Sequence, residues 1–137
     1  MKTNELMIGD WVSAGYNSKV TGIDLNTDAI RIAGNIGWFK TNEHEPIPIT
    51  PEILEANGFL IDDEDWFVWE RRSGIYTLAE VKLYQEDDVW HAALYGPEVC
   101  EIDDLNIRFV HDLQHAMRLI GLHDFADNFV IKKGGQQ

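Results

Sequence analysis

The chain has 137 residues, 45% of them hydrophobic, and carries a formal net charge of −13. This length limits it to one domain or two very small ones, and the apolar content, which includes five tryptophans, excludes intrinsic disorder. No segment approaches the roughly 20 consecutive apolar residues of a membrane helix, and the lack of a Lys and Arg cluster argues against direct binding to nucleic-acid phosphates.

The first 49 residues carry the pattern of short strands separated by turns rich in Gly, Asn and Asp. The predicted strands cover residues 6–12, 19–25, 29–33 and 37–49. Strands of this number and length are too few for a sandwich, and a strongly curled sheet leaves the fewest open edges. We therefore predict a first domain, residues 1–49, that is a small SH3-like β-barrel or a curled meander.

A run of prolines predicts the domain boundary. Three prolines between residues 45 and 51 remove amide donors and favour extended backbone. Thr50 then has the character of a helix N-cap, with Pro51 at the first helical position, and Gly58 is a good C-terminal stop. The sequence therefore predicts a short helix over residues 51–57, at the start of the second domain.

The second predicted domain, residues 50–137, continues with a three-stranded antiparallel meander. Its strands are predicted at residues 66–71, 75–84 and 89–95. Within the second of these strands apolar and polar residues alternate, so Glu80 and Lys82 are expected on the face opposite Val81 and Leu83.

A C-terminal helix is predicted over residues 108–120. Its apolar positions recur with helical period and form one stripe: Phe109, Val110, Leu113, Ala116, Met117 and Ile120. Gly121 ends it. Residues 132–137 have nothing to bury and are expected to fray. The predicted fold class is therefore α+β.

The negative charge is concentrated in the second domain. Residues 1–50 contain six acids and four bases, which gives −2, whereas residues 51–137 contain eighteen acids and seven bases, which gives −11. Such a charge keeps a Trp-rich surface soluble, and it also suits an acidic face that meets a basic partner. The partner we expect is another protein of basic character, with no direct contact to nucleic acid or membrane.

The expected compartment is the cytoplasm. The chain reaches Gly9 and Asp10 before an apolar segment of signal-peptide length can form. Cys100 is the single cysteine, so an internal disulfide is impossible, which agrees with a reducing compartment. We expect its side chain to be small, apolar in behaviour, and buried or half-buried.

Several segments, in this order, resemble a known family. They are Asn4–Val12, the residues around the prolines from Pro46 to Phe59, and Val110–Gln114. Together they resemble an uncharacterised family of short proteins from gut-associated anaerobic bacteria, their prophages and mobile elements. The resemblance implies a bacterial, phage-linked origin and no particular activity. The family's final helix has the pattern Val-His-Glu-Leu-Gln-Asn, whereas this chain has Asp112 for the Glu and His115 for the Asn.

His111 and His115 have the spacing of the two histidines in H-E-x-x-H, where residues four apart share a helix face and can bind one Zn²⁺. Asp112, however, is one carbon shorter than the glutamate of that motif. Arg108 and Arg118 are expected beside the histidines, where their charge disfavours a bound cation. The favoured interpretation is therefore polar histidines on a solvated or interface face, with a metal site as the alternative.

Other motifs give no catalytic site. Asp24, Asn26 and Asp28 copy the first three oxygen positions of a Ca²⁺ loop, but Ala29 stands where a glycine is required, which favours a hairpin turn. The acidic run at residues 62–65 is typical of a solvated loop. The sequence has no nucleophile elbow, dinucleotide fingerprint or Walker loop. No catalytic residue and no cofactor is predicted, and the interpretation leans against an enzyme.

Trp66 and Trp69 are candidates for an interaction surface. Residues three positions apart point to opposite faces of a pleated strand, so one of the two rings is expected to be exposed or interfacial. Exposed aromatic side chains often anchor interfaces. Asp112 is the third interaction candidate.

Three functions are open at this point. The leading hypothesis is a non-catalytic protein-interaction protein, such as an accessory factor of a phage or mobile element. The second is an acidic mimic of nucleic acid that inhibits a DNA- or RNA-binding enzyme, which requires rows of carboxylates on one face. The third is a metal-dependent enzyme that uses His111 and His115.

Overall fold

The computed structural model describes residues 1–97 and 100–131, except for the side chain of Cys100. The expectations for that side chain and for residues 132–137 lie outside the described residues. The described chain contains two antiparallel five-stranded sheets and three α-helices, which confirms the α+β class.

Residue contacts divide the described chain into two units. The first unit contains Met1–Pro48, Phe109–His111 and Ile131, and the second contains Ile49–Arg108 and Asp112–Val130. Within the first unit the Val110 N–H donates to the Ile47 carbonyl at 2.8 Å. The domain boundary between residues 49 and 50 stays a prediction.

The first unit holds one sheet whose strand order is β4-β3-β2-β1-β5. The strands are β1 (Trp11–Ser13), β2 (Asn17–Asp24), β3 (Ala29–Ile32), β4 (Phe39–Lys40) and β5 (Glu45–Pro46). Among the described residues β4 and β5 do not pair, so the sheet is not a closed barrel, which corrects the barrel prediction in this respect. The two edge strands have only two residues each, and Pro46 of β5 has no N–H to donate to a further strand.

The core of the first unit lies under this sheet. Its buried residues are Leu6, Val12, Val20, Ile30 and Ile32. The first unit also has two 3₁₀ turns, Thr3–Glu5 and Thr41–Glu43, and the second of them interrupts the strand predicted over residues 37–49. Their threonine hydroxyls hydrogen-bond to each other at 2.7 Å in the interior.

The helix predicted after the prolines is confirmed as α1 (Pro51–Ala56). The Thr50 side chain accepts the Ile53 N–H at 3.2 Å and so caps the helix, with Pro51 at its first turn. Gly58 follows with a φ of +89°, a left-handed conformation that glycine adopts without strain.

The second unit holds a sheet with the order β10-β9-β8-β7-β6. The strands are β6 (Leu60–Ile61), β7 (Phe67–Ser73), β8 (Tyr76–Glu86), β9 (Val89–Gly96) and β10 (Cys100–Ile107). The predicted meander is therefore confirmed for β7, β8 and β9 and extended by one strand at each edge. The sequence pattern missed β10 because its register shifts between Ile102 and Leu105, so its apolar residues do not alternate.

Helices cover one face of the second sheet. They are α2 (Val110–Leu119) and α3 (His123–Asp127), the latter absent from the sequence prediction. The Phe125 ring stacks on Trp69 at 4.2 Å, and a Cβ at Gly96 would overlap the backbone of Ile120, so Gly96 permits close packing there. No described helix is both long and apolar enough to cross a membrane.

Candidate functional site

The second sheet buries one face and exposes the other. On β8, Val81 and Leu83 are fully buried, whereas Glu80, Lys82 and Tyr84, which alternate with them, are only half-buried. This alternation follows from the pleat of the strand. We call the open face the side of the sheet that carries Glu80, Lys82, Tyr84 and their cross-strand neighbours.

An aromatic row crosses the open face. Tyr84 contacts Trp66, which precedes β7, with ring centroids 4.5 Å apart, and it stacks on His91 of β9 with centroids 4.8 Å apart. The Lys82 ammonium lies 5.2 Å from the Trp66 ring, within cation–π range. His91 Nε2 is 3.8 Å from the Glu86 carboxylate. The three rings therefore form a preorganised platform with charged groups at its margin.

An acidic row runs parallel to the aromatic row. Glu70 of β7 is directly opposite Glu80 of β8, Glu80 is opposite Tyr95 of β9, and Tyr95 is opposite Glu101 of β10. Adjacent strands are about 4.8 Å apart, and like charges directly opposite each other destabilise a sheet. The Arg72 guanidinium offsets part of this repulsion, since its Nε lies 3.0 Å from Glu70 Oε1.

Glu101 has an acidic neighbour, Asp103, on its own strand. A side-chain hydrogen bond with Asp103, repulsion from the Asp103 charge and some desolvation raise the pKa of Glu101 above its ordinary value of 4.5. Both side chains are exposed. The β10 end of the acidic row therefore concentrates negative charge at the surface.

Exposed apolar side chains lie in the acidic row and just beyond it. Tyr95, which belongs to the row, is 40% exposed, and Leu78, which lies beyond the row towards the β7–β8 turn, is 44% exposed. At the β6 side a groove of about 460 Å³ is bordered by Leu60 and Val68, which face each other in register. The open face is thus apolar towards the β7–β8 turn, whereas the groove at the β6 side is also lined by Glu70, Glu80 and Lys82.

The two predicted tryptophan candidates lie on different faces. Trp66 belongs to the aromatic row of the open face, whereas Trp69 packs on Phe125 and so lies on the face that the helices cover. Both residues are half-buried. The structure therefore places Trp66, and not Trp69, beside the other groups of the open face.

The three candidate residues on α2, which are His111, Asp112 and His115, do not lie on the open face. His111 is only 5% exposed and its ring lies parallel to Phe109, so it is not on a solvated face, and the alternative of an interface face stays a prediction. His115 is half-buried and belongs to the second unit, whereas His111 belongs to the first. Asp112 Oδ2 accepts the Arg108 N–H at 3.4 Å near the start of α2, which gives it a structural contact.

The other motifs form turns. Asp24 Oδ1 accepts the Asn26 N–H at 3.0 Å in the β2–β3 turn, and Asp62 Oδ1 accepts the N–H groups of Glu64 and Trp66 in the β6–β7 turn. Within the described residues, no three His, Cys, Asp or Glu side chains come together in a group that could hold a metal ion.

Sequence reasoning missed Tyr84, His91 and Tyr95 as members of one surface. The alternation that placed Glu80 and Lys82 on one face extends to Tyr84, so this signal was present in the sequence. The positions of His91 and Tyr95 depend on the strand register, which the sequence pattern does not define.

Comparisons of the chain with family models, with curated proteins and with solved structures give no match. The fold and the open face by themselves define an α+β protein with an acidic and aromatic sheet surface.

Proposed function

We propose that the protein is a non-catalytic protein-interaction protein and that the open face of its second unit binds another protein. The observation that carries the proposal is the exposure of Leu78 and Tyr95 together at one end of that face. Removing apolar surface from water contributes about 25 cal/mol per Å², so a partner that covers these side chains gains affinity. Tyrosine is also among the residues that dominate binding energy at interfaces.

The aromatic row supports the same proposal. Trp66, Tyr84 and His91 are already in contact, so a partner would lose little side-chain freedom when it packs on them. Aromatic rings also supply large contact areas with few rotatable bonds. These features suit recognition of a macromolecular surface.

Affinity capture with matched variants tests this function. Wild-type protein, the double variant Leu78→Ser with Tyr95→Ser, and the control Ile36→Ser are immobilised and exposed to a bacterial lysate at low and moderate salt. Ile36 is 96% exposed in the first unit, so the control removes exposed apolar surface elsewhere. We expect one set of proteins to bind the wild type and the control but not the double variant. Identical captured proteins in all three samples would refute the proposal.

A second candidate function is the acidic mimic of nucleic acid. Support for it comes from the acidic row, because Glu70 and Glu80 are opposite each other on neighbouring strands and Glu101 lies in the same row, beyond Tyr95. Double-stranded DNA added to the captured complex distinguishes the two functions. Release of the partner by DNA would favour the mimic, whereas retention favours the leading proposal. The metal-dependent enzyme has no comparable support, since no third ligand joins His111 or His115 among the described residues.

We also propose that the first unit has an SH3-like arrangement and that the protein is an accessory factor of a phage or mobile element. The first idea is supported by the order β4-β3-β2-β1-β5, by the irregularity between Val20 and Gly22 in β2, and by the 3₁₀ turn before β5. The second is supported by the family resemblance. An experimental structure of the first unit tests the former, and gene neighbourhood tests the latter.

A further inference from the structure

We infer that the partner presents a cationic amphipathic segment to the open face, with lysine or arginine side chains placed between apolar ones. This inference rests on the proposed function and names the chemistry of the occupant. Two observations support the inference. Apolar and acidic groups follow one another along the open face, and the carboxylates of that face outnumber its cations.

The spacing of the groups sets the length of the segment. Leu78 and Tyr84 are six residues apart on β8, which corresponds to about 20 Å at roughly 3.3 Å per residue. Glu80 and Lys82 lie between them on the same face. A helix of about 14 residues, at 1.5 Å per residue, has the same length. The apolar end and the aromatic row can therefore hold two apolar anchors of one segment while the acids face the side chains between them.

The charge of the open face selects a cationic segment. Among the described residues, its carboxylates are Glu70, Glu80, Glu86, Glu101 and Asp103, and the cations in contact with it are Lys82 and Arg72. Acids thus outnumber bases five to two. A lysine or arginine from a partner, placed over the acidic row, would relieve the repulsion between the opposed Glu70 and Glu80. At the β10 end of the same row, the carboxyl groups of Glu101 and Asp103 lie beside each other and add further negative charge.

Trp66 already accepts a cation. The Lys82 ammonium lies 5.2 Å from its ring, where an incoming lysine or arginine could also bind. Lys82 therefore competes with the partner for the ring and adds a like charge in the middle of the face. Its replacement by an apolar side chain of similar length should strengthen the binding of a cationic segment.

Binding of two model peptides tests the inference. The probes are a 14-residue helix-forming peptide of leucine and lysine and the same peptide with glutamate in place of lysine. Each is titrated into the 137-residue chain, with affinity measured by calorimetry and the contact surface mapped by amide chemical shifts. The variants are Glu70→Gln with Glu80→Gln, Lys82→Met, and the control Glu52→Gln with Glu55→Gln, which removes two exposed charges from α1.

We expect the lysine peptide to shift amides of β7, β8 and β9, and the glutamate peptide to bind far more weakly. The Glu70 and Glu80 variant should lose about tenfold in affinity, whereas the α1 control should stay within about twofold. Lys82→Met should gain about threefold. Higher salt should weaken the wild-type interaction, since these charges are exposed.

Several results would overturn the inference while leaving the proposed function open. They are equal binding of both peptides, equal losses in the acidic-row variant and the α1 control, and no binding of either peptide. A doubling of the mass by light scattering that blocks the peptide would assign the face to a second copy of this chain instead. The capture experiment with Leu78→Ser and Tyr95→Ser tests the proposed function separately, because those substitutions change no charge.

Discussion

Asn57 should stabilise the second unit through two hydrogen bonds to a segment far away in sequence. Its Oδ1 accepts the Val130 N–H at 2.7 Å, and its Nδ2 donates to the Val130 carbonyl at 2.9 Å and to the Ile53 carbonyl at 2.8 Å. These hydrogen bonds connect Asn57, the residue after α1, to Val130, which follows α3. Substitution Asn57→Ala removes all three bonds.

A matched control exists at the end of α3. Asn128 is also a helix C-cap residue, with φ −101° and ψ 9° against φ −104° and ψ 14° at Asn57. Its Nδ2 likewise donates to a carbonyl four residues earlier, that of Asp124, at 2.8 Å. Neither backbone is strained for alanine, because φ is negative in both. The difference between Asn57→Ala and Asn128→Ala therefore isolates the pair of bonds to Val130.

The expected difference follows from that pair. A hydrogen bond contributes about 0.5–1.5 kcal/mol net, and the exposed Val130 groups can bond to water when the side chain is removed, so two bonds give about 1–2 kcal/mol. Urea unfolding followed by tryptophan fluorescence measures both variants. Asn57→Ala should lower the free energy of unfolding by this amount more than Asn128→Ala does. Equal losses in the two variants would refute the reasoning.

Three further predictions concern the second sheet. Gly96→Ala should destabilise the protein by about 2 kcal/mol or more, because the new Cβ overlaps the Ile120 backbone, while Gly37→Ala, which meets no atom within 4 Å, should be nearly neutral in thermal unfolding. Asp103→Asn should lower the pKa of Glu101 in a ¹³C NMR titration; since that pKa is raised in the folded state, wild-type stability falls as pH rises above 4.5 through the raised value, and the variant should lose less over this window. Glu80→Lys should raise the free energy of unfolding by about 0.5–1 kcal/mol in urea, because attraction to Glu70 replaces repulsion, and the same variant should bind the lysine peptide more weakly.

The sequence predicted correctly those elements that are determined by residues close to one another in the chain. Thr50 and Pro51 predicted the start of α1, and the alternation along β8 predicted which side chains face away from the core. In contrast, α3 has five residues and no capping side chain, so nothing in its sequence marks it as a helix. The strand β10 was not predicted because a bulge interrupts the alternation of its apolar and polar residues.

The candidate site was less predictable because it depends on register. Trp66 was identified as an aromatic of interest, but its contact with Tyr84 arises only when β7 and β8 pair in one alignment. The same alignment places Glu70 against Glu80. A shift by one residue would send these side chains to the other face, and only long-range packing defines the alignment. The composition showed that the second domain is acidic, but not where its acids meet.

The two faces of the second sheet differ in how well their side chains are packed and paired. The buried face is close-packed, to the point that Gly96 has no room for a methyl group beside Ile120. The open face instead holds Glu70 against Glu80 and leaves Leu78 exposed, and both features lower the stability of the isolated chain. Departures from local stability rules tend to mark functional surfaces. A partner segment with both cationic and apolar side chains would neutralise the opposed glutamates and cover Leu78 in the same binding event. The proposed function and the proposed chemistry of the partner therefore depend on the same few side chains.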